Sequence, residues 1–391
     1  MTESVTRNTP ASAPTPTSAA VPRSRSILRT LWIIAAIYLA LLIGQPAGLD
    51  PVKILSDVQH SPALLFQQLL TGLADGAIIV IIALGYTLVY GIIELVNFAH
   101  GDVFMLGTYV ALLSTSFFIT RVNNESRAPF WVALLAFIPA MLAMGGLNAL
   151  IERVAYRRLR NQPKLASLIS AIGMSFILQN IGLQAASFGK LSTYSPALAF
   201  LDVFGQNNAT AKQFPTFLSD ENILAYVFGP NVAIRMRAAD LLVIVVALVL
   251  MSALSWFVQN TRMGKAMRAT AQNQQAAMIM GIDVNKVIAF TFILGGALAG
   301  AAGVMNGIYN GSASFTMGFQ AGLRSFTAAV LGGIGNIRGA ALGGILIGLL
   351  AAMSDTYLSS RWTNAWVFLI LVLVLMFRPT GLLGQEGGEK A

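Results

Sequence analysis

Long apolar runs recur along the chain and constrain its fold more than any other feature. Leu241–Val258 and Val287–Val304, for example, are each about as long as a helix that crosses a bilayer. Hydrophobic residues make up 56% of the chain and charged residues 10%, whereas a soluble domain has about a quarter charged residues. The sequence therefore predicts an all-α polytopic membrane protein, a bundle of about nine or ten transmembrane segments, some broken or re-entrant.

Basic residues between these runs indicate which loops are cytoplasmic, because Lys and Arg are enriched on that side of membranes. The densest basic cluster lies in Glu152–Lys164. A second basic segment, residues 261–286, has four basic residues and a single acid, Asp283. Both are expected in the cytoplasm, and the net charge of +9 is attributed to such anchors rather than to nucleic-acid binding. The longest polar segment, 189–238, is expected outside.

The two ends of the chain differ from its apolar middle. Residues 1–26, rich in Ser, Thr, Ala and Pro, are expected to form a disordered cytoplasmic tail, and residues 385–391 a short C-terminal tail. The apolar run 27–43 is interpreted as a retained first span rather than a cleaved signal peptide, because it is long and no clear cleavage site follows. Residues 27–384 then form one membrane domain.

The glycine-rich stretch Phe326–Met353 has two interpretations. Two apolar halves flank the sequence from Gly332 to Gly339. They are either two membrane crossings with Arg338 in the cytoplasm or a broken re-entrant pair. Both alternatives are compatible with the positions of the glycines.

Segment 261–286 has the pattern of a short amphipathic helix. Five residues recur at spacings of three to four: Met267, Ala271, Gln274, Met278 and Ile282. Gly281 is a helix-end signal, and Asp283 is a candidate N-cap of the helix that follows. A cytosolic amphipathic helix between two spans suits docking into a groove of a soluble partner, although an ordinary basic loop also explains the charges.

The sequence Gln275–Gly281, QAAMIMG, resembles the coupling loop of ABC importer permeases, whose general form is Glu-Ala-Ala, three residues and Gly. More specifically, five further blocks resemble the LivH-type permeases of branched-chain amino acid importers, and they occur in that family's order. These blocks are Gly85–Asp102, Glu152–Arg160, Leu168–Asn180, Phe326–Gly344 and Phe377–Gly384.

The resemblance implies a multi-pass permease subunit of the bacterial inner membrane, in an ATP-driven importer of branched-chain or related amino acids. It implies as partners a second permease subunit, two cytosolic ATPase subunits and an external substrate-binding protein. ATP would be bound by the ATPases, so no cofactor is expected in this chain. The residues expected to contact the ATPases are Ala271, Gln275, Ala276, Ala277, Met278 and Gly281.

Two interruptions of apolar runs are candidates for the substrate pathway. One contains Asn97, His100 and Gly101, and the other contains Gly335 and Asn336. Paired interruptions in corresponding halves of a transporter point to a pathway at the membrane midplane. The alternatives are two unrelated turns, since turns favour Asn and Gly, and a structural network that holds the first interruption.

Two acidic residues, Asp75 and Glu94, lie in or beside the apolar run that precedes the first interruption. Both depart from the LivH-type pattern, which has apolar or small residues there. Charges inside a membrane are costly unless they are paired or hydrated. The two carboxylates therefore lie either at hydrated membrane edges or in the pathway, where they would change which solute passes.

No catalytic arrangement is recognisable in the sequence. It contains no cysteine, only two histidines, and no phosphate-binding loop of the form Gly-x-x-x-x-Gly-Lys-Ser/Thr. We therefore expect no enzyme activity, no metal site and no ATP binding by this chain. The alternative function is a stand-alone channel or ion-coupled carrier for a small polar solute such as urea, with Asp75, Glu94 and His100 as the ion relay.

Overall fold

The computed structural model describes residues 61–122, 129–160, 162–205, 210–218, 220–229, 232–378 and 380–384. Its helices are, in chain order, α1 Pro62–Ile93, α2 His100–Val122, α3 Phe130–Ile151, α4 Lys164–Leu183, α5 Ala185–Gly189, α6 Ile223–Phe228, α7 Ala238–Asn260, α8 Arg262–Gln272, α9 Gln274–Ile279, α10 Val284–Asn310, α11 Met317–Gly332, α12 Ile337–Met353 and α13 Thr363–Phe377. Short π- or 3-10-helical segments are Glu152–Tyr156, Lys190–Tyr194, Pro196–Phe204 and Ser354–Ser359.

Seven helices in these ranges are long and apolar enough to cross a membrane, namely α1 to α4, α7, α10 and α12. A shorter apolar helix, α13, follows, and α11 has 16 residues. The prediction of a polytopic helical membrane bundle is confirmed. The expected tails and the run 27–43 lie outside the described residues.

Helix α1 is the most buried of the spans, because small residues let α12 approach it closely. A Cβ added to Gly72 would lie 2.8 Å from the Leu349 Cα, and one added to Gly76 would lie 3.1 Å from the Ile345 Cα. From the other side, a Cβ on Gly348 would lie 2.3 Å from the Cα of Gly76. Small residues at four-residue spacing permit such contact between membrane helices, and the order of contacts shows that α1 and α12 are antiparallel.

The glycines of α10 likewise let neighbouring helices approach closely. A Cβ on Gly296 would meet the Met144 carbonyl at 2.3 Å, and one on Gly300 would meet the Ala140 carbonyl at 2.4 Å, both on α3. A Cβ on Gly303 would lie 2.5 Å from a backbone nitrogen of α2. Close packing, rather than a solute path, therefore accounts for these positions.

Helices α11 and α12 form an antiparallel hairpin. A Cβ on Gly339 would lie 2.3 Å from the Gly332 carbonyl, and one on Gly343 would lie 2.0 Å from the Ala328 carbonyl. Helix α11 begins beside the strand that precedes it, and α12 runs along α1. The structure therefore shows two antiparallel helices joined by a tight turn, of which α12 is long and apolar enough to span and the 16-residue α11 is not counted among the spans, so both interpretations of Phe326–Met353 stay predictions.

The segment expected as an external loop, residues 189–238, is attached to the bundle through its described residues. Its strand β1, Lys212–Gln213, pairs antiparallel with β2, Ser312–Ala313, just after α10. The Phe214 ring covers Gly307, where a Cβ would lie 2.3 Å from the ring. These contacts fix the loop to the end of α10 opposite to segment 261–286.

Candidate functional site

The basic cluster after α3 lies at the same end of the bundle as segment 261–286. The Arg160 guanidinium donates to the Asn285 side-chain carbonyl at 2.8 Å, and the Gln274 amide donates to a carbonyl in the last turn of α1 at 2.9 Å. Arg160 also pairs with Glu152, and burial lowers the pKa of Arg160 although the Glu152 carboxylate opposes the shift. Because basic residues concentrate in cytoplasmic loops, we expect this to be the cytoplasmic end, and we call it so below.

Segment 261–286 forms two short helices, which corrects the expectation of one amphipathic helix. Asn273 is extended, with φ −155°, and its side chain caps α9 by accepting from the Ala276 N–H at 3.0 Å. A capping side chain of this kind competes with continuation of the preceding helix. The residues at helical spacing in this segment therefore do not share one environment. Met267 on α8 is 3% exposed, whereas Met278 on α9 is 55% exposed.

Most residues expected to contact the ATPases are on the outside of this segment. One, Ala277, is buried. The exposed ones are Ala271, Gln275, Ala276, Met278 and Gly281. Two side chains that the sequence interpretation missed are more exposed still, Ile279 at 86% and Met280 at 81%. Asp283 caps α10 by accepting from the Lys286 N–H, as the sequence predicts.

Between α1 and α2 the chain is non-helical from Glu94 to Ala99. Glu94 has φ +53°, a left-handed conformation, and its N–H bonds to the Tyr90 carbonyl, which ends α1. Its side chain is exposed at the cytoplasmic end. Asn97, three residues later, is only 2% exposed. The chain therefore turns back into the bundle within this interruption.

Asn97 belongs to a buried network of polar side chains. Its side-chain carbonyl accepts from the Tyr156 hydroxyl at 3.1 Å, and its amide donates to the Asn148 side-chain carbonyl at 3.4 Å. The Asn148 amide in turn donates to the Phe292 backbone carbonyl at 2.6 Å. Because buried polar groups require partners, this network holds the interruption against α3 and α10.

His100, the first residue of α2, is fully buried among aromatic rings. Its ring meets the Tyr86 ring edge-on, with centroids 4.8 Å apart. The ring centroid of Phe326 lies 6.1 Å from that of Tyr86 and 5.9 Å from that of Phe98. A Cβ on Gly85 would lie 2.2 Å from the His100 Nε2, so the glycine makes the space for this ring. We call Tyr86, Phe98, His100 and Phe326 the aromatic layer.

The next two residues of α2 bring it against α11 and α4. A Cβ on Gly101 would lie 2.3 Å from the Gly318 carbonyl, so a larger residue would separate α2 from α11. Asp102 is 1% exposed, and one of its carboxylate oxygens accepts a hydrogen bond from the Ser175 hydroxyl of α4. Its other oxygen has no hydrogen-bond partner among the described residues.

A cavity of about 180 Å³ lies between α1, α10 and α11, on the outer side of the aromatic layer. We call it the outer cavity. Asp75 and Arg324 line it, together with three amide side chains: Asn306, Asn310 and Gln320. Its apolar wall consists of Ile78, Ile79, Ile82 and Phe104, among others. Asn310 and Gln320 are exposed, so the cavity opens toward the outer solvent.

On the cytoplasmic side of the aromatic layer the void between Tyr86, Tyr90 and Ile334 measures about 10 Å³, which is at most the space that one water needs. Tyr86 follows Ile82 by one turn of α1, so this void and the outer cavity lie on opposite sides of the aromatic layer. The outer cavity therefore does not continue inward between these three side chains.

The second interruption is the cytoplasmic turn of the α11–α12 hairpin. Asn336 caps α12, because its side-chain oxygen accepts from the Arg338 and Gly339 N–H groups at 3.0 and 3.2 Å, and its amide donates to the Leu383 carbonyl at 2.8 Å. Gly335 has φ +93° and is exposed. Turn and cap chemistry accounts for both residues.

The residues expected to line the pathway therefore lie at three levels of the bundle. Asp75 is in the outer cavity, the residues around His100 are buried in the middle, and the others are at the cytoplasmic end: Glu94, Gly335 and Asn336. Arg324 was missed, because the apolar pattern begins a span at Phe326 and leaves this arginine in a loop. Among the described residues, no group of three or more His, Asp and Glu could hold a metal ion.

Comparison with known proteins connects this architecture to a family. The family described as branched-chain amino acid transport system, permease component, matches residues 68–377. The high-affinity branched-chain amino acid transport system permease protein LivH of Salmonella typhimurium is 39% identical over 325 residues, 83% of this chain and 97% of LivH. The corresponding protein BraD of Pseudomonas aeruginosa is 38% identical over 326 residues, 83% of this chain and 97% of BraD.

More distant proteins are also similar. The probable branched-chain amino acid transport permease protein LivH of Methanocaldococcus jannaschii is 28% identical over 236 residues, 59% of this chain and 64% of that protein. Among solved structures, PsaBC from Streptococcus pneumoniae in complex with Fab aligns with a TM-score of 0.41 and 10% identity, covering 85% of this chain and 97% of that one. At that score the two backbones differ too much to support an argument about this chain.

Proposed function

This chain belongs to the permease components of branched-chain amino acid transport systems, and from this premise we propose that it imports branched-chain amino acids with ATP-driven partners. The partners would be a second permease subunit, two cytosolic ATPase subunits that bind the ATP, and an external substrate-binding protein. The named substrates of the relatives support this choice, since their sequences match over nearly their whole length. No bond in the solute would be made or broken.

The observation that carries the proposal is an exposed apolar tip on the cytoplasmic end. Met278, Ile279 and Met280 are 55%, 86% and 81% exposed. Contiguous exposed apolar side chains mark surfaces that bind another protein. The family relationship indicates an ATPase subunit as the partner that covers this tip. Helix α9 would dock into a groove of that subunit.

The tip is connected to the bundle on both sides of the pathway. Gln274, at the start of α9, bonds to the last turn of α1, and Asp283 caps the first turn of α10. Displacement of α9 by an ATPase would therefore move α1 and α10, whose other ends line the outer cavity. Such rigid-body movement between two packed arrangements is a common form of switching.

The test uses the full chain with a tag, purified from its native membranes together with whatever subunits remain bound. Ile279→Asp places a charge at the centre of the apolar tip. We expect it to lower both recovery of the ATPase subunits and leucine uptake by at least about tenfold, because one buried charge outweighs the apolar contact. Gln272→Asp, which adds the same charge at an exposed position of α8, should change neither.

Two results would overturn the proposal. One is leucine uptake by vesicles that contain only this chain and no nucleotide, which is the behaviour of a channel or ion-coupled carrier. The other is full recovery of the ATPase subunits with Ile279→Asp, which would place their docking surface elsewhere.

A further inference from the structure

We propose that the outer cavity binds the charged head group of an α-amino acid, with Asp75 contacting the ammonium, Arg324 contacting the carboxylate and the aliphatic wall receiving the side chain. This inference rests on the proposed function and names a binding site within it. The cavity would be an intermediate binding site within the permease, which the solute occupies after it leaves the external binding protein.

The two charged residues both line the cavity and are not paired with each other. Asp75 on α1 and Arg324 on α11 are within electrostatic reach of one another, yet no described ion pair joins them within 4.0 Å. The Arg324 Nε donates to the Asn364 side-chain carbonyl at 3.0 Å, which orients the guanidinium and leaves its outer nitrogens for a ligand. Arginine matches a carboxylate with two parallel hydrogen bonds.

The Tyr309 hydroxyl donates a hydrogen bond to Asp75, which leaves the carboxylate without an opposite charge. Two further carboxylates influence Asp75 electrostatically, and each has a partner of its own. Asp240 forms an ion pair with Arg237 at 2.8 Å, and Asp355 accepts a hydrogen bond from the Thr363 hydroxyl. Asp75 is thus the acid on the cavity wall that faces Arg324.

A zwitterion satisfies both residues at once. Removing an isolated charge from water is costly, and a charged pair inside a protein is favourable only when each member finds its partner. A simple cation would leave Arg324 unmatched, and a simple anion would leave Asp75 unmatched. An amino acid brings both charges in one molecule and adds no net charge to the cavity.

The rest of the lining suits a small aliphatic amino acid. Ile78, Ile79, Ile82 and Phe104 offer an apolar surface on the inner side, and the exposed amide of Gln320 offers hydrogen bonds near the opening. The volume of about 180 Å³ is enough for a small solute of the size of one amino acid.

The experiment measures radiolabelled leucine uptake by cells in which the full-length chain, or a variant, replaces the resident copy. Asp75→Asn and Arg324→Gln remove one charge each with little change in size. We expect each to lower the maximal uptake rate at least tenfold, while the leucine concentration for half-maximal uptake stays the same because the external binding protein sets it. Membrane content of each variant is measured in parallel.

Matched controls make the same chemical changes away from the cavity. Asp202→Asn neutralises an exposed carboxylate in the segment Pro196–Phe204, and Arg338→Gln alters an exposed residue at the cytoplasmic end of the same hairpin. Both should remain within twofold of wild type. Asp75→Glu and Arg324→Lys keep the charges and should recover part of the rate that the neutral variants lose.

The outcomes separate the two proposals. Wild-type cells that gain no uptake of any branched-chain amino acid from this chain would overturn the proposed function. Wild-type uptake with unchanged rates in Asp75→Asn and Arg324→Gln would overturn the cavity inference alone. Equal losses in the neutral and charge-keeping variants, together with lower membrane content, would assign these residues a structural role and also overturn the inference.

Discussion

The two interruptions of the bundle look alike in sequence but occupy opposite environments. At the first, between Glu94 and Ala99, the chain enters the protein interior, and Asn97 and His100 are 2% and 0% exposed. At the second, the turn before α12, Gly335 is exposed and Asn336 caps a helix. One interruption is therefore part of the packed core and the other is a surface connection.

The difference teaches that asparagine serves two purposes in such breaks. Asn336 bonds mainly to backbone groups close in sequence, as a cap does in any soluble helix. Asn97 bonds to side chains more than 50 residues away, on other elements. Loss of the first bond is compensated by water, whereas loss of the second leaves buried groups unpaired. Substitutions at the two breaks should therefore differ in severity.

The largest effect should come from Gly85→Ala in α1, which tests how tightly the first interruption is packed. A methyl group there would lie 2.2 Å from the His100 Nε2, and the ring is enclosed on its other side by Tyr86. Overpacking of this kind costs about 1–3 kcal/mol and occasionally more. We expect leucine uptake to fall about tenfold or more, and the midpoint of thermal unfolding in detergent to fall measurably.

The contact with His100 can be isolated by a second substitution. Removing the ring in a Gly85→Ala, His100→Ala double variant vacates the space that the new methyl group needs, so the double variant should be more stable than Gly85→Ala alone. Equal thermal midpoints for the single and double variants would show that the alanine is accommodated in another way. Gly146→Ala is the control, since a Cβ there meets nothing within 4 Å.

An intermediate effect is expected from Asn97→Ala. The substitution removes the side-chain acceptor of the Tyr156 hydroxyl and the donor to the Asn148 side-chain carbonyl, and a buried group that loses its partner costs about 1–3 kcal/mol. Thermal unfolding of the purified protein provides the measurement. Asn180→Ala removes an amide from an exposed face of α4, where it bonds only within its own helix, and should have little effect. Similar losses for the two variants would contradict a supporting role for the Asn97 network.

Much of the fold could be predicted from the sequence, because helices in a membrane satisfy their backbone within each segment and are revealed by the length of an apolar run. The predicted run Leu241–Val258, for example, lies within the helix Ala238–Asn260. The pairing of β1 with β2 could not be predicted, since it joins residues about a hundred positions apart. Nor could the break at Asn273, where capping prevails over an uninterrupted helical pattern.

The candidate site was less accessible to sequence reasoning. Asp75 was recognisable, because a carboxylate in an apolar run is conspicuous. Its counterpart Arg324 belongs to another helix, and only the packing of α1 against α11 brings both to one cavity. The space that Gly85 makes for His100 is likewise a property of packing, although both lie in the same recognised block. Sequence order cannot show which side chains face one another across helices.

The smallest effect is expected at the second interruption, from Asn336→Ala. This change removes the cap of α12, which costs about 0.5–2 kcal/mol, and water can replace part of the lost hydrogen bonding at the exposed turn. Asn336→Asp keeps the acceptor for the Arg338 and Gly339 N–H groups and loses only the bond to Leu383, so it should be milder still. Asn336→Ala could instead prove as damaging to stability and uptake as Asn97→Ala. In that case the turn would do more than connect two helices, and the proposed contrast between a buried and a surface interruption would be wrong.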